Sequence, residues 1–489
     1  MKKSRKWITV FLIAAMLAQM TACGKTQETT DAPETRKEAE STETVVETEP
    51  ETSAWEMLSK EDYAGYTFHI LSFNKEILSR WFLADELTGN IFNDTVYERN
   101  RSVEELYNIS IQPSFDANES TALKQLINDA ASSGGEYDIT YQWGMKMVNA
   151  VQAGALYNLM SVNTMDVTKP WWNRNAVETF TLVPGKLYYA ANAINANSVD
   201  DAACLYFNSD LAAQYGLSDP YQMVYDGTWT IDAMYDMMCA VAANLDGSDE
   251  RTVNDMYGTT AAWGQIMGIY TGCGLKLGET GADGTMKPTF ANEKALAVAD
   301  WLKKVIGDPT MTADMLSDAK WAYDAFYSGH SLFYMASIGA MTTLRDQMDP
   351  NFGILPNPKY DTAQAAYYTV SGGRNTPLLG MAVTQSDPER TGKIVEAMAI
   401  YSRDHLTDAY IDVTLVGKCS RNENTEAMLR TIMDSITYDI AFLTVPTFFD
   451  KWYPAISGGG DTLSSTAASI QESVAVDWTA YIETIKALP

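Results

Sequence analysis

Histidine is nearly absent from this chain, with only His69, His330 and His405 among 489 residues, so a mechanism built on imidazole has few candidates. The sequence also lacks a GxSxG elbow, an HExxH pair, a phosphate loop and a dinucleotide fingerprint. Ser317-Asp318-Ala319-Lys320 matches SxxK, but the companion motifs are missing and the match reads as chance. Beyond Cys23 there are four cysteines, Cys204, Cys239, Cys273 and Cys419, no two of them at metal-ligand spacing, which argues against zinc. Their state stays open between buried thiols and disulfides. Basic residues are scarce too, 35 against 63 acidic ones for a net charge of -28, whereas a phosphate-binding surface needs the opposite sign. Nucleic acid is therefore not expected as a partner, and an anionic ligand is disfavoured.

Long apolar runs are missing as well, except at the start. Lys2, Lys3, Arg5 and Lys6 precede an apolar stretch from Trp7 to Met20 that is too short for a stable membrane span and fits a signal-peptide core. Thr21-Ala22-Cys23-Gly24 follows, and small residues before a cysteine suit a lipoprotein signal peptidase. Residues 1–22 are expected to be a signal peptide, with Cys23 diacylated; an ordinary cleaved signal with Cys23 as a bystander is the alternative. Residues 23–58, rich in Thr, Glu, Asp, Lys and Pro, bury too little surface to offset ordering entropy and are expected to form a disordered acidic tether. With 46% hydrophobic and 11% aromatic residues, the remainder can build a large core.

What is present alternates between two periods. Tyr66 to Phe73 reads as a buried strand, and Asp94 to Tyr107 as a helix with Val96, Val103 and Leu106 on one stripe. Ile109 to Ile111 is strand-like, Leu123, Leu126, Ile127 and Ala130 are helically spaced, Gly134-Gly135 stops the helix, and Tyr137 to Tyr141 is strand-like again. Strand, helix, strand, helix, strand implies a parallel sheet, in which ligands bind beyond the carboxyl ends of the strands. Trp143 stands at such an end. A second set of signals starts with the strand-like Ala203 to Phe207 and the helices Leu211 to Tyr215 and Thr230 to Leu245. Leu378 to Val383 is another strand, Asp387 to Tyr410 a helix, and helical stripes continue to Trp478. The expected division is residues 59–200 for a first lobe, 201–350 for a second, and 351–489 for the return to the first lobe with C-terminal helices.

Several local patterns carry a family likeness. Asn93-Asp94-Thr95-Val96-Tyr97-Glu98-Arg99-Asn100, Lys169-Pro170-Trp171-Trp172-Asn173 and Gly185-Lys186-Leu187-Tyr188 resemble a gut-bacterial branch of the solute-binding lipoproteins of ABC transporters. Tyr137-Asp138-Ile139, Leu156-Tyr157-Asn158-Leu159, Phe326-Tyr327-Ser328-Gly329-His330 and Phe352-Gly353-Ile354-Leu355-Pro356 resemble elements shared across the carbohydrate-binding, maltose-binding-protein-like class. The resemblance spans about Tyr66 to Tyr453, yet most sugar-contacting side chains have no residue-by-residue match. It implies an α/β, two-lobed, periplasmic-binding-protein-like (type II) fold with crossing hinge segments and extra C-terminal helices. It also implies a monomer without enzymatic activity or cofactor, lipid-anchored at the outer face of the cell membrane, that captures a neutral carbohydrate, an oligosaccharide above all, and delivers it to ABC permease subunits. Lobes of this kind close on ligand by hinge motion.

Sugars offer C–H faces and hydroxyl rims, so aromatic planes and short polar side chains are the groups to look for among twelve tryptophans. The expected ligand contacts are Trp143, Trp172, Asn197, Trp263, Ser337, Arg374 and Trp452. For Trp143 the competing reading is packing under its lobe. Of Trp171 and Trp172, neighbours in an extended segment, at most one faces ligand while the other packs. Trp263 and Trp452 offer further faces, with core packing as the alternative for Trp263. Arg374 follows Gly372-Gly373 and its fork of donors suits vicinal hydroxyls, against an interlobe ion pair. Asn197 and Ser337 lie near the crossing segments and equally suit turns. Asn244 to Asp255 echoes a calcium loop, but Asp249 replaces the glycine and Asp255 the glutamate, so it reads as an acidic loop and no metal is expected. Two other functions stay open: a surface glycosidase with paired carboxylates, and an adhesin without a closing pocket.

Overall fold

The computed structural model describes residues 53–73, 76–195, 197–245, 247–248, 251–261, 266–280, 285–314, 321–371, 375–411, 424–445, 451–452, 454–455 and 463–489. Residues from Ser53 to Pro489 form one compact unit, so the expected tether does not extend to residue 58: Trp55 meets Tyr401 edge-on at 5.2 Å and packs with Leu58 against the core. The strands are β1 (Tyr66–Phe73), β2 (Ile109–Asp116), β3 (Ile139–Trp143), β4 (Leu156–Tyr157), β5 (Ala203–Asn208), β6 (Tyr257–Ala261), β7 (Gly278–Thr280), β8 (Met286–Pro288), β9 (Thr312–Asp314), β10 (Ser331–Ser337), β11 (Phe352–Leu355), β12 (Thr369–Val370), β13 (Pro377–Ala382) and β14 (Ile436–Thr437). Two five-stranded sheets organise them, one in the order β2-β1-β3-β13-β4 and the other β11-β5-β10-β6-β9.

In the first sheet β1 runs parallel to both β2 and β3, as the strand-helix alternation predicts. The return strand β13 inserts antiparallel to β3 and β4. Every residue of β3 and β13 is buried; β13 reads as the near-continuous apolar run of an interior strand, whereas β3 carries Thr140 and Gln142 into the interior. The helix Ile91–Tyr107 begins three residues before Asp94: Asn90 accepts from the backbone N–H of Phe92 and Asn93, and Asn108 ends the helix in the left-handed region at φ 48°. In the second sheet β10 lies antiparallel to β5 and parallel to β6, and β6 is parallel to β9.

Three chain segments lie side by side between the sheets. Residues leading into β5 bridge antiparallel to the segment after β12 at Ala202 and Ser371, and β12 pairs with β14. The Ser371 hydroxyl donates to the Ser198 carbonyl at 2.6 Å, tying the first segment to the second. A long helix, Leu463–Ala487, packs on β8 and the helix Glu293–Ile306 beside the second sheet, and on the helix Gly144–Gln152 beside the first. Lys186 holds its last turn, donating to the carbonyls of Ile485 and Lys486 at 3.3 and 3.0 Å. Among the described residues no helix is long and apolar enough to cross a membrane.

Candidate functional site

The carboxyl ends of both sheets meet at the crossing segments. β1 and β3 end at Phe73 and Trp143, and the backbone N–H of Gly144 donates to the Thr376 carbonyl at 2.8 Å, on the chain that has just crossed from the second sheet. On the other side β10 ends at Ser337, in register with Ala203 where β5 begins. Ile338 donates its N–H to the Ala202 carbonyl at 3.0 Å, so the end of β10 rests on the first crossing segment. The Tyr206 hydroxyl donates to the carbonyls of Ser337 (3.1 Å) and Ile338 (2.9 Å), which pins that end. β6 and β9, parallel to each other and to β10, finish at Ala261 and Asp314 on the same side.

Trp143 occupies the position expected for it, at the last residue of β3. Its indole meets Phe73 edge-on at 5.0 Å and is 7% exposed. Gly144 follows because the helix it starts lies against Ile440–Thr444: a Cβ there would come within 2.6 Å of Leu443. Ser337 is half-buried at the end of β10, and Asn197 opens the short helix Asn197–Asp200 that leads into the first crossing. Trp263, Arg374 and Cys23 lie outside the described residues, as does Cys419.

Trp172 and Trp452 are placed differently. Trp172 is 3% exposed and its indole N–H donates to Glu396 Oε1 at 2.7 Å, while the neighbouring Trp171 donates to Glu396 Oε2 at 2.7 Å. One carboxylate thus takes both indole N–H groups, and both side chains are buried. Burial pushes the Glu396 carboxyl up to about 7, with the two indole N–H groups pulling the other way. Trp452 is fully buried, its ring tilted against Phe290 at 5.5 Å.

A charged group absent from the sequence expectations sits beside the first crossing. Arg80, just after the helix Glu76–Ser79, donates to the Asp200 carboxylate, which also accepts from the Tyr410 hydroxyl. Burial holds the Asp200 carboxyl above its ordinary value, with Arg80 drawing it down. Another buried carboxyl, Asp439, is raised to about 6 by desolvation and accepts from the backbone N–H of Leu277 (2.5 Å) and Ala441 (2.9 Å). Glu396 and Asp439 are each engaged by donors from distant segments and act as fasteners of the fold.

Among the described residues of the acidic loop 244–255, Asp255 accepts from the N–H groups of Leu245 (3.0 Å) and Thr252 (2.8 Å) and faces Arg251 at 3.7 Å. Among the described residues no group of three or more acidic, histidine or cysteine side chains could hold a metal ion. Cys204 and Cys273 are buried thiols, and burial pushes Cys273 up to about 12; Cys239 is an exposed thiol.

No family model matches the chain, and no curated protein matches it in sequence. Solved structures do match in fold. The cyclic α-maltosyl-1,6-maltose binding protein of Arthrobacter globiformis is 14% identical, with 85% of this chain and 100% of that one covered at a TM-score of 0.58. The maltose-binding periplasmic protein MalE of Listeria monocytogenes, in complex with maltose, is 13% identical over 85% of this chain and 98% of its own, with a TM-score of 0.57. UgpB of Mycobacterium tuberculosis, in complex with glycerophosphocholine, is 15% identical over 85% and 99%, with a TM-score of 0.55. The chain has the two-sheet fold of these periplasmic-binding-protein-like structures.

Proposed function

We propose that this chain is the capture component of an ABC importer: it binds a neutral oligosaccharide between its two sheets and delivers it to permease subunits. In this reading it is a monomer held at the outer face of the cell membrane by acyl chains on Cys23, on the periplasmic side where the cell has an outer membrane. The carrying observation is that strand ends of both sheets rest on neighbouring crossing segments, β3 through Gly144 on Thr376 and β10 through Ile338 on Ala202, which is where α/β sheets bind ligands and where hinge closure would enclose one. The fold likeness supports a sugar, because two of the matched structures are named for maltose or a cyclic maltosyl-maltose. A third holds glycerophosphocholine, so the ligand class rests on this chain's own residues as well. Trp143 is the proposed stacking platform, with Ser337, Asn197, Trp263 and Arg374 around it. No covalent chemistry is involved.

Trp143→Leu is expected to lower affinity for a neutral oligosaccharide such as maltotetraose by about 2 kcal/mol, the scale of a buried aromatic anchor. Trp143→Phe, which keeps a flat face beside Phe73, should retain most of it. Both variants leave a smaller side chain against Phe73 and should melt below the wild type by similar amounts, so an affinity loss confined to the leucine variant reports on the ring. Calorimetry with parallel thermal melts decides: a leucine variant that binds like the wild type removes Trp143 from the site. A glycosidase would instead turn over the sugar panel.

A further inference from the structure

Arg80 and Asp200 are paired, yet they differ sharply in exposure: Arg80 is 36% exposed and Asp200 only 3%. Aromatic rings hold the guanidinium in place, with their centroids 5.5 Å (Trp81), 5.4 Å (Phe92) and 5.9 Å (Tyr410) from its central carbon. Its Nη2 is committed to Asp200, and its enclosed Nε has no partner among the described residues. Asp200 is occupied on every side: the Tyr410 hydroxyl donates to its carboxylate, and its backbone carbonyl takes the Gly339 N–H at 2.9 Å. Gly339 follows the carboxyl end of β10, and a Cβ on it would lie 3.2 Å from that same carbonyl, so the second sheet abuts Asp200 directly. Arg80 itself belongs to the connection that leaves the carboxyl end of β1. With 36% of its side chain exposed, Arg80 reaches solvent beside the first crossing segment, where its carboxylate partner does not.

We propose that Arg80 is a ligand-contacting, specificity-determining residue whose exposed edge donates to adjacent saccharide hydroxyls, and that Asp200 tunes the site to neutral over anionic sugars by cancelling the guanidinium charge. The fork of fixed donors fits either a vicinal diol or a carboxylate. With Asp200 already paired, a carboxylate gains little Coulomb energy there and meets a chain of net charge -28. A diol needs only the donors. The inference rests on the saccharide-binding reading above.

The test is calorimetry of wild type, R80K, R80Q and D200N with maltotetraose and with an oligosaccharide of the same length carrying a uronate, alongside thermal melts. R80K keeps a cation facing Asp200 but loses the fork; its affinity for the neutral sugar should fall at least tenfold with a melting temperature near wild type, and R80Q should fall further. D200N frees the guanidinium charge and should move the preference at least tenfold toward the uronate. Unchanged affinity in R80K, with or without a lower melting temperature, overturns the contact, even where D200N fails to fold. A folded D200N with wild-type preference overturns the charge tuning. A wild type that binds no saccharide defeats the saccharide reading and this inference together, a result distinct from a wild type that binds while R80K binds equally well.

Discussion

Arg99→Met is expected to remove about 2 to 6 kcal/mol of folding stability, the scale of leaving two buried acceptors without their donor. Arg99 is fully buried, and its hydrogen bonds go to groups that carry no formal charge. Nε donates to Asn100 Oδ1 at 3.1 Å, Nη1 to the Ile194 carbonyl at 3.2 Å and to Ser402 Oγ at 3.3 Å, and Nη2 to the Trp81 carbonyl at 2.7 Å and to Asn100 Oδ1 at 2.9 Å. Desolvation lowers the guanidinium to about 10, which still leaves it charged at neutral pH. One side chain thus joins the connection after β1, the approach to the first crossing segment and the π-helical turn Ser402–Leu406. Methionine fills the aliphatic space but strands two backbone carbonyls, at about 1 to 3 kcal/mol each. Whole domains are stable by only about 5 to 15 kcal/mol, so much of the margin goes. Urea unfolding measures it, and a loss below about 1 kcal/mol would show that the network is not needed.

Glu396 gives the second large effect, and its sign is set by the direction of the shift. Its folded pKa of about 7 lies above the ordinary 4.5, so between those values the folded state binds more protons than the unfolded state. Stability from this group is therefore greatest below about 4.5 and declines as pH rises through about 7. At 1.36 kcal/mol per pKa unit the decline comes to about 3 kcal/mol. Glu396→Gln cannot titrate. Its absolute stability should drop, since one amide oxygen cannot serve both Trp171 and Trp172. Its change in stability between pH 4.5 and pH 8 should nevertheless be smaller than the wild type's by about that amount. Chemical denaturation across the range measures this, and parallel pH profiles would contradict it.

Both residues carried signals along the sequence. Val96, Arg99, Asn100 and Val103 share one helical stripe, so Arg99 sits on a face that is otherwise core. Glu396 interrupts the apolar run Ile394, Val395, Ala397, Met398 in the same way. A charge on a buried stripe must have partners, although the pattern does not name them. The parallel core of the first sheet was legible because its strands and helices alternate locally, and the place of Trp143 followed from that order. Pairings across large separations were not legible: Trp172 reaches a carboxylate more than two hundred residues away, and Arg80 meets Asp200 across 120. Local spacing carries no information about such contacts, so the partner of an individual tryptophan is not set until the chain is folded. The start of the helix at Ile91 was missed for a smaller reason. Asn90 caps it, and Asp94 accepts from Thr88 and Gly89 in the preceding turn, so Asp94 resembles a cap while serving inside the first turn.

The central claim is that the two sheets close around a neutral oligosaccharide, and small-angle scattering of the purified protein tests it most directly when titrated with a glycan panel that includes maltotetraose. A saturable decrease in the radius of gyration with at least one neutral oligosaccharide, matched by a rise in melting temperature and no turnover of the sugar, is the expected result. Saturating shifts of the melt with only peptides, amino acids or glycerophosphodiesters, or saccharide binding with no compaction at all, would contradict it.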